Sequence, residues 1–153
     1  MNRLALFVIT ALFVSIPVTS RAMEQCPAAE KIKEIHHGVF LADSENGEWL
    51  GILQGVIPEK TPSLSFERAI AIQEKEASPL KFQHCSYHLG VAEHRTLDMR
   101  FLPKAGENFT IKTEGDVWKK EEGPFGLIYS VCDDRDPGKC AFHITIEALR
   151  ASR

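Results

Sequence analysis

The sequence predicts a mainly β domain: a small antiparallel sheet or sandwich, with room for one short helix, stapled by two disulfides. Three observations predict it. Short runs such as Leu80–Leu89 (LKFQHCSYHL) and Arg95–Leu102 (RTLDMRFL) alternate apolar and polar residues, the period of a half-buried strand. Turn residues separate these runs at intervals of about ten residues, as in β sandwiches and barrels. The chain also holds four cysteines behind a segment with the pattern of an export leader, and cysteines of exported domains pair.

The leader pattern is Met1-Asn2-Arg3, an apolar run from Leu4 to Val18, and Ser20 and Ala22 ahead of a cut after Ala22. The uninterrupted apolar stretch is about 15 residues, short of the ~20 a spanning helix needs. Met23-Glu24-Gln25 before Cys26 does not suit lipidation. The expected division is a signal peptide over 1–22 and a single β-rich domain over 23–153, with no membrane span after cleavage. Cleavage leaves 131 of the 153 residues and removes Arg3 and Arg21, so 16 basic residues face 21 acidic ones and the formal charge moves from −3 to −5. A chain of this size buries roughly two-thirds of its unfolded surface. The acidic balance argues against nucleic-acid binding, which needs a basic face.

Cys26, Cys85, Cys132 and Cys140 allow three pairings. Cys132–Cys140 is favoured because Pro137-Gly138 lies in the segment between them and suggests a turn. Cys26–Cys85 follows by elimination. Chain entropy assigns about 2.6 kcal/mol to the short loop and about 4.3 kcal/mol to the long one. The cysteines show no CxxC spacing that would suit a metal.

Along the chain, Cys26 to Ile35 reads as a short helix or an extended lead-in, with Pro27 placed for a first helical turn. Gly38–Ala42 and Glu48–Leu53 flank Asn46-Gly47, a hairpin signal. Leu64–Glu76 fits a helix face or a strand face equally. Leu80–Leu89 and Arg95–Leu102 form a second hairpin, and Phe109–Thr113 a short strand. Lys119-Lys120-Glu121-Glu122 reads as a solvated turn. Gly126–Cys132 and Cys140–Glu147 are expected to close a final hairpin, for six to eight strands in all.

Cys26-Pro27 after the leader, Gly38…Trp49-x-Gly51, Phe66-x-x-Ala69, Cys85-Ser86-Tyr87, Trp118, and Cys132 with Cys140-x-Phe142 together resemble the small secreted bacterial family catalogued as domain of unknown function 3757. The resemblance spans nearly the whole mature chain. It implies export from a Gram-negative cell, to the periplasm or outside, and a compact disulfide-bearing domain. It implies no activity and carries over no catalytic residue.

The chemistry-bearing residues support no definite reaction. His84 and His88 have the spacing that chelates zinc on a helix. On a strand, however, four residues at about 3.3 Å rise put them roughly 13 Å apart. His36 and His37 are adjacent and face opposite ways on a strand. His94 could meet His84 or His88 across the second hairpin. The acids of Asp133-Asp134-Arg135-Asp136 lack the register of a calcium loop. Ser86 sits between His84 and His88 but needs partners from elsewhere to act as a nucleophile. Trp49, Trp118, Tyr87 and Tyr129 suit either core packing or a recognition face.

The expected role is therefore a small binding or interaction module that engages an unknown protein or envelope component, with no cofactor, metal or nucleic acid. The competing role is a small hydrolase whose site gathers sequence-distant residues, with His84, His88 or His143 as base.

Overall fold

The computed structural model describes residues 22–90 and 94–146. The leader expectation falls on residues outside these, except for Ala22. Among the described residues there are eleven strands: β1 (Ala22–Gln25), β2 (Lys33–His36), β3 (Val39–Asp43), β4 (Gly47–Ile52), β5 (Leu64–Gln73), β6 (Lys81–Leu89), β7 (Thr96–Pro103), β8 (Phe109–Thr113), β9 (Trp118–Glu122), β10 (Ile128–Cys132) and β11 (Ala141–Ile146). The helical content of the described residues is three short 3-10 turns, at Ala29–Lys31, Pro124–Gly126 and Pro137–Lys139. No described helix is long and apolar enough to cross a membrane.

Eight strands form one sheet in the order β2-β3-β4-β7-β6-β5-β10-β9, and three form a second in the order β1-β11-β8. Every pairing is antiparallel. The sheets approach where the Ile111 N–H donates to the Leu80 carbonyl across 2.8 Å.

Alternation decides which side chains turn inward. Phe40 and Ala42, Trp49, and Leu97, Met99 and Phe101 come from successive strands and are all buried. Phe142 and Ile144 of β11 meet them from the smaller sheet. Trp49 lies 5.1 Å from Phe101 and 5.6 Å from Phe82, whose ring stacks on Phe142 at 4.4 Å. Offset and edge-on contacts of this kind add to the burial of large rings. A bulge between β5 and β6 shifts the register from Ile70↔His84 to Ala71↔Phe82. Phe82 and Cys85, three residues apart, are consequently both buried. Close strand approach needs glycine at Gly51, where a Cβ would sit 2.4 Å from the Met99 sulfur.

The structure resolves the ambiguous segment as a strand, β5, whose pairing to β6 and β10 overrides a pattern that also fitted a helix. It corrects three expectations. The strands exceed six to eight, because short β1, β2 and β9 form by pairing to stronger neighbours. Lys119–Glu122 is not a turn but lies in strand β9, held by β10. Cys132 and Cys140 do not join a final hairpin: β10 pairs β5 and β9, while β11 pairs β1 and β8 in the other sheet.

Both disulfides form as Cys26–Cys85 and Cys132–Cys140, with Cα–Cα separations of 5.9 and 5.6 Å. The second links the two sheets. The first ties the chain just beyond β1 to the middle of β6. Tyr87 reinforces it by donating its hydroxyl to the Pro27 carbonyl at 2.5 Å.

Candidate functional site

An open groove of about 960 Å³ is lined by the β1 edge, the 3-10 turn that follows Cys26, the β3–β4 turn (Ser44, Glu45, Asn46) and the loop Arg135–Gly138, together with Trp49 and Phe66. Cys26 is fixed to β6 and Cys140 to β10, which anchors both the N-terminal segment and the acidic loop that line it.

Polar contacts shape this groove. Asn46 Nδ2 donates to the Met23 carbonyl at 2.9 Å and to Glu24 Oε2 at 3.4 Å. Glu24 Oε1 accepts from the Gln25 N–H at 3.1 Å. Glu24 is 7% exposed, a buried carboxylate satisfied by amides. Ser44 closes the hairpin turn by accepting from the Gly47 N–H at 3.1 Å. On the facing loop, Asp134 accepts from the Asp136 N–H and Asp136 from the Gly138 N–H, each at 2.9 Å. The N–H of Asp136 and the nearby Lys139 ammonium hold the Asp134 carboxyl below its usual range, by stabilising its ionised form. The acids of this loop therefore organise the loop itself. Among the described residues, no three His, Cys, Asp or Glu side chains gather where a metal ion could sit.

A second cluster lies on the outer face of the larger sheet. Ser86 stands opposite Asp98 across β6 and β7, and its hydroxyl donates to Asp98 Oδ1 at 2.7 Å. His84 Nε2 is 3.8 Å from the same oxygen. His88 Nε2 lies 3.8 Å from Glu67, which also pairs with Arg68 at 2.7 Å. Burial pushes the His84 pKa down, against the opposing pull of Asp98. In a hydrolytic triad the imidazole stands between hydroxyl and carboxylate, so that it can take the hydroxyl proton. Here the carboxylate stands between the other two. None of Ser86, His84 and Asp98 lines one of the three main concavities.

The other candidates are dispersed. His36 and His37 lie at the end of β2 and in the turn after it, both exposed. His94 is exposed ahead of β7. His143 meets Glu114 at 2.9 Å through Nε2, on the smaller sheet. Trp49 and Tyr87 are core residues. Trp118 donates its indole N–H to the Ala141 carbonyl at 3.0 Å. The Tyr129 ring occupies the space that a side chain at Gly123 would fill.

Sequence reasoning missed Glu24, Asn46 and Asp98. Asp98 had a signal, its outward place in an alternating run, but its opposition to Ser86 required the register. Glu24 and Asn46 meet only once the first hairpin has docked on β1.

Residues 20–143 match the family model described as "Protein of unknown function (DUF3757)". No curated protein and no solved structure matches the chain.

Proposed function

The chain belongs to the DUF3757 family, and from that premise we propose that it is a small exported binding module whose recognition surface is the groove between the two disulfides. The observation that carries this reading is the groove's construction. At about 960 Å³ it exceeds the concavities beside Phe82 and beside Leu102, at about 730 and 470 Å³, and both disulfides anchor segments that line it. Its lining mixes carboxylates and amides with Trp49 and Phe66, a combination suited to a few directed polar contacts beside apolar surface. The disulfides support a site of action in the periplasm or outside the cell, where such bonds persist. The partner in this reading is a protein or envelope component that reaches into the groove.

The hydrolase alternative rests on His84, Ser86 and Asp98. Their order leaves Ser86 bonded to a carboxylate rather than to an imidazole base, which disfavours that reading.

Site-specific photo-crosslinking in cells tests the proposal. A photoreactive residue at Glu30 or Arg135, on the groove, should give a discrete adduct. The same residue at Thr96, on the outer sheet face, should not. Adducts from Thr96 with none from either groove position would overturn the assignment.

A further inference from the structure

Strand β9 ends the eight-stranded sheet and pairs only with β10 among the described residues. The Gly123 N–H donates to the Leu127 carbonyl at 2.8 Å, which makes Gly123 and Leu127 a hydrogen-bonded pair. By the alternation of an antiparallel ladder, Lys119 and Glu121 then direct their backbone groups toward β10, while Trp118, Lys120 and Glu122 direct theirs outward. The outer edge thus offers a row of backbone donors and acceptors, the ordinary template for another strand.

The side chains of this edge are complementary to themselves. Lys119 and Glu121 share one face, and Lys120 and Glu122 the other. A two-fold axis normal to the sheet, passing beside Lys120, sets Lys119 of one copy opposite Glu121 of the other, twice. These are non-hydrogen-bonded positions, where facing side chains come closest. The two Lys120 side chains meet at the axis, a like-charge contact that the exposed pairing of each with Glu76 of its own chain offsets only in part. Lys119 pairs with Asp133 at 3.2 Å in an exposed contact, too weak to hold it from a second carboxylate.

The same edge ends in an unusual apolar residue. Phe125 is 100% exposed. Its φ of 61° lies in the left-handed region and is the only positive φ at a non-glycine residue among those described. Gly126 also lies at positive φ, and with Phe125 it forms the turn closed by the Leu127 N–H on the Pro124 carbonyl, so hairpin geometry accounts for this conformation and the exposed ring is what remains to be covered. In the two-fold arrangement Gly123 falls opposite Val117 and Glu122 opposite Trp118, so the turn that carries Phe125 lies just past the start of the partner strand.

We propose that β9 is a self-association edge: two copies of this chain pair their β9 strands antiparallel, with Lys119 facing Glu121 and Phe125 covering the apolar start of the opposite strand.

Sedimentation equilibrium of the oxidised mature protein tests this through a charge swap. The wild type should show a reversible monomer–dimer equilibrium. K119E and E121K each place like charges opposite one another and should each weaken the dimer by roughly tenfold or more. Mixing the two variants restores both opposite-charge pairs, so a heterodimer should form where neither variant dimerises alone. F125S should also weaken the dimer, and unchanged melting temperatures would show that the variants fold. A wild type that stays monomeric at all concentrations would overturn the proposal. So would a dimer indifferent to K119E and E121K, or a mixture that fails to recover association.

Discussion

The Tyr87 hydroxyl donates to the Pro27 carbonyl across 2.5 Å, between two chain segments that the Cys26–Cys85 bridge already joins. Tyr87 is fully buried, and burial raises its pKa far above the usual phenol range. It stays a neutral donor at any physiological pH, and the Pro27 carbonyl depends on it. Tyr87→Phe keeps the ring against Phe66 and removes only this bond. It should destabilise the fold by about 1–3 kcal/mol, the cost of a buried acceptor left without its donor. Chemical denaturation of the oxidised protein measures it, and an unchanged midpoint would show that water replaces the phenol.

The two disulfides should differ in their effect. Cys26–Cys85 closes a separation of 59 residues and Cys132–Cys140 one of 8. Loop entropy assigns about 4 kcal/mol to the first and about 2.5 kcal/mol to the second. The short bridge joins two sheets rather than two hairpin strands, so its loss also loosens the docking of β11. Cys26→Ser/Cys85→Ser and Cys132→Ser/Cys140→Ser pairs, compared by thermal melting, should both fall below the wild type, with the first pair lower. Reductant should lower the wild-type melting temperature, and chelator should leave it unchanged.

The disulfide pairing was legible in the sequence, and so were the β3–β4 and β6–β7 hairpins, while the partners of β10 and β11 were not. Alternation and a nearby turn mark LKFQHCSYHL as a strand beside its sequence neighbour, but they do not say that β5 lies on its other side. A turn-like segment between Cys132 and Cys140 is compatible with a hairpin and equally with a crossing between sheets. Lys119–Glu122 contains no apolar residue, so its extended form comes from β10 and leaves no local trace. The groove was illegible for a related reason. Asn46, Glu24 and Asp136 are ordinary surface residues in sequence, and only the first hairpin, β1 and the Cys132–Cys140 loop together make them neighbours.

Gly47 shows how tightly the first hairpin closes on β7. A Cβ there would lie 2.2 Å from the Leu102 carbonyl oxygen and 2.9 Å from the Phe101 ring. The obstruction is backbone, which cannot rotate away. Gly47→Ala should therefore cost about 1–3 kcal/mol, the range for an overpacked interior. It should also disturb the Asn46 contacts to Met23 and Glu24. Denaturation measures the first effect, and the amide chemical shifts of Glu24 and Gln25 report the second. A variant with wild-type stability would mean that β4 and β7 separate more readily than their pairing indicates.

His84 should make stability depend on pH. Burial lowers its pKa in the folded state from the ordinary 6.5, and Arg100 and Arg68 act in the same direction, while Asp98 and Glu67 oppose them. The unfolded chain then binds a proton more readily than the folded one. Stability from this group is present above pH 6.5 and is lost as the pH falls from there toward the lower folded value. The wild type should lose melting temperature over that window, and His84→Gln should lose less. Equal slopes for the two proteins would place the acid sensitivity in another group.

Processing should leave β1 almost whole. Cleavage after Ala22 keeps Met23, Glu24 and Gln25, which pair with His143, Phe142 and Ala141 of β11. These residues cover one edge of the smaller sheet and form one wall of the groove. Intact-mass measurement of the protein from fractionated cells should give a chain that begins at Met23, outside the cytoplasm. A full-length chain in the cytoplasmic fraction would refute export. A shorter version starting at Cys26 retains both disulfides but exposes the β11 edge and removes the Glu24–Asn46 contact. It should melt below a chain that begins at Met23. If it melts at the same temperature, β1 contributes nothing to the fold, and the groove wall it forms is not held in place by pairing.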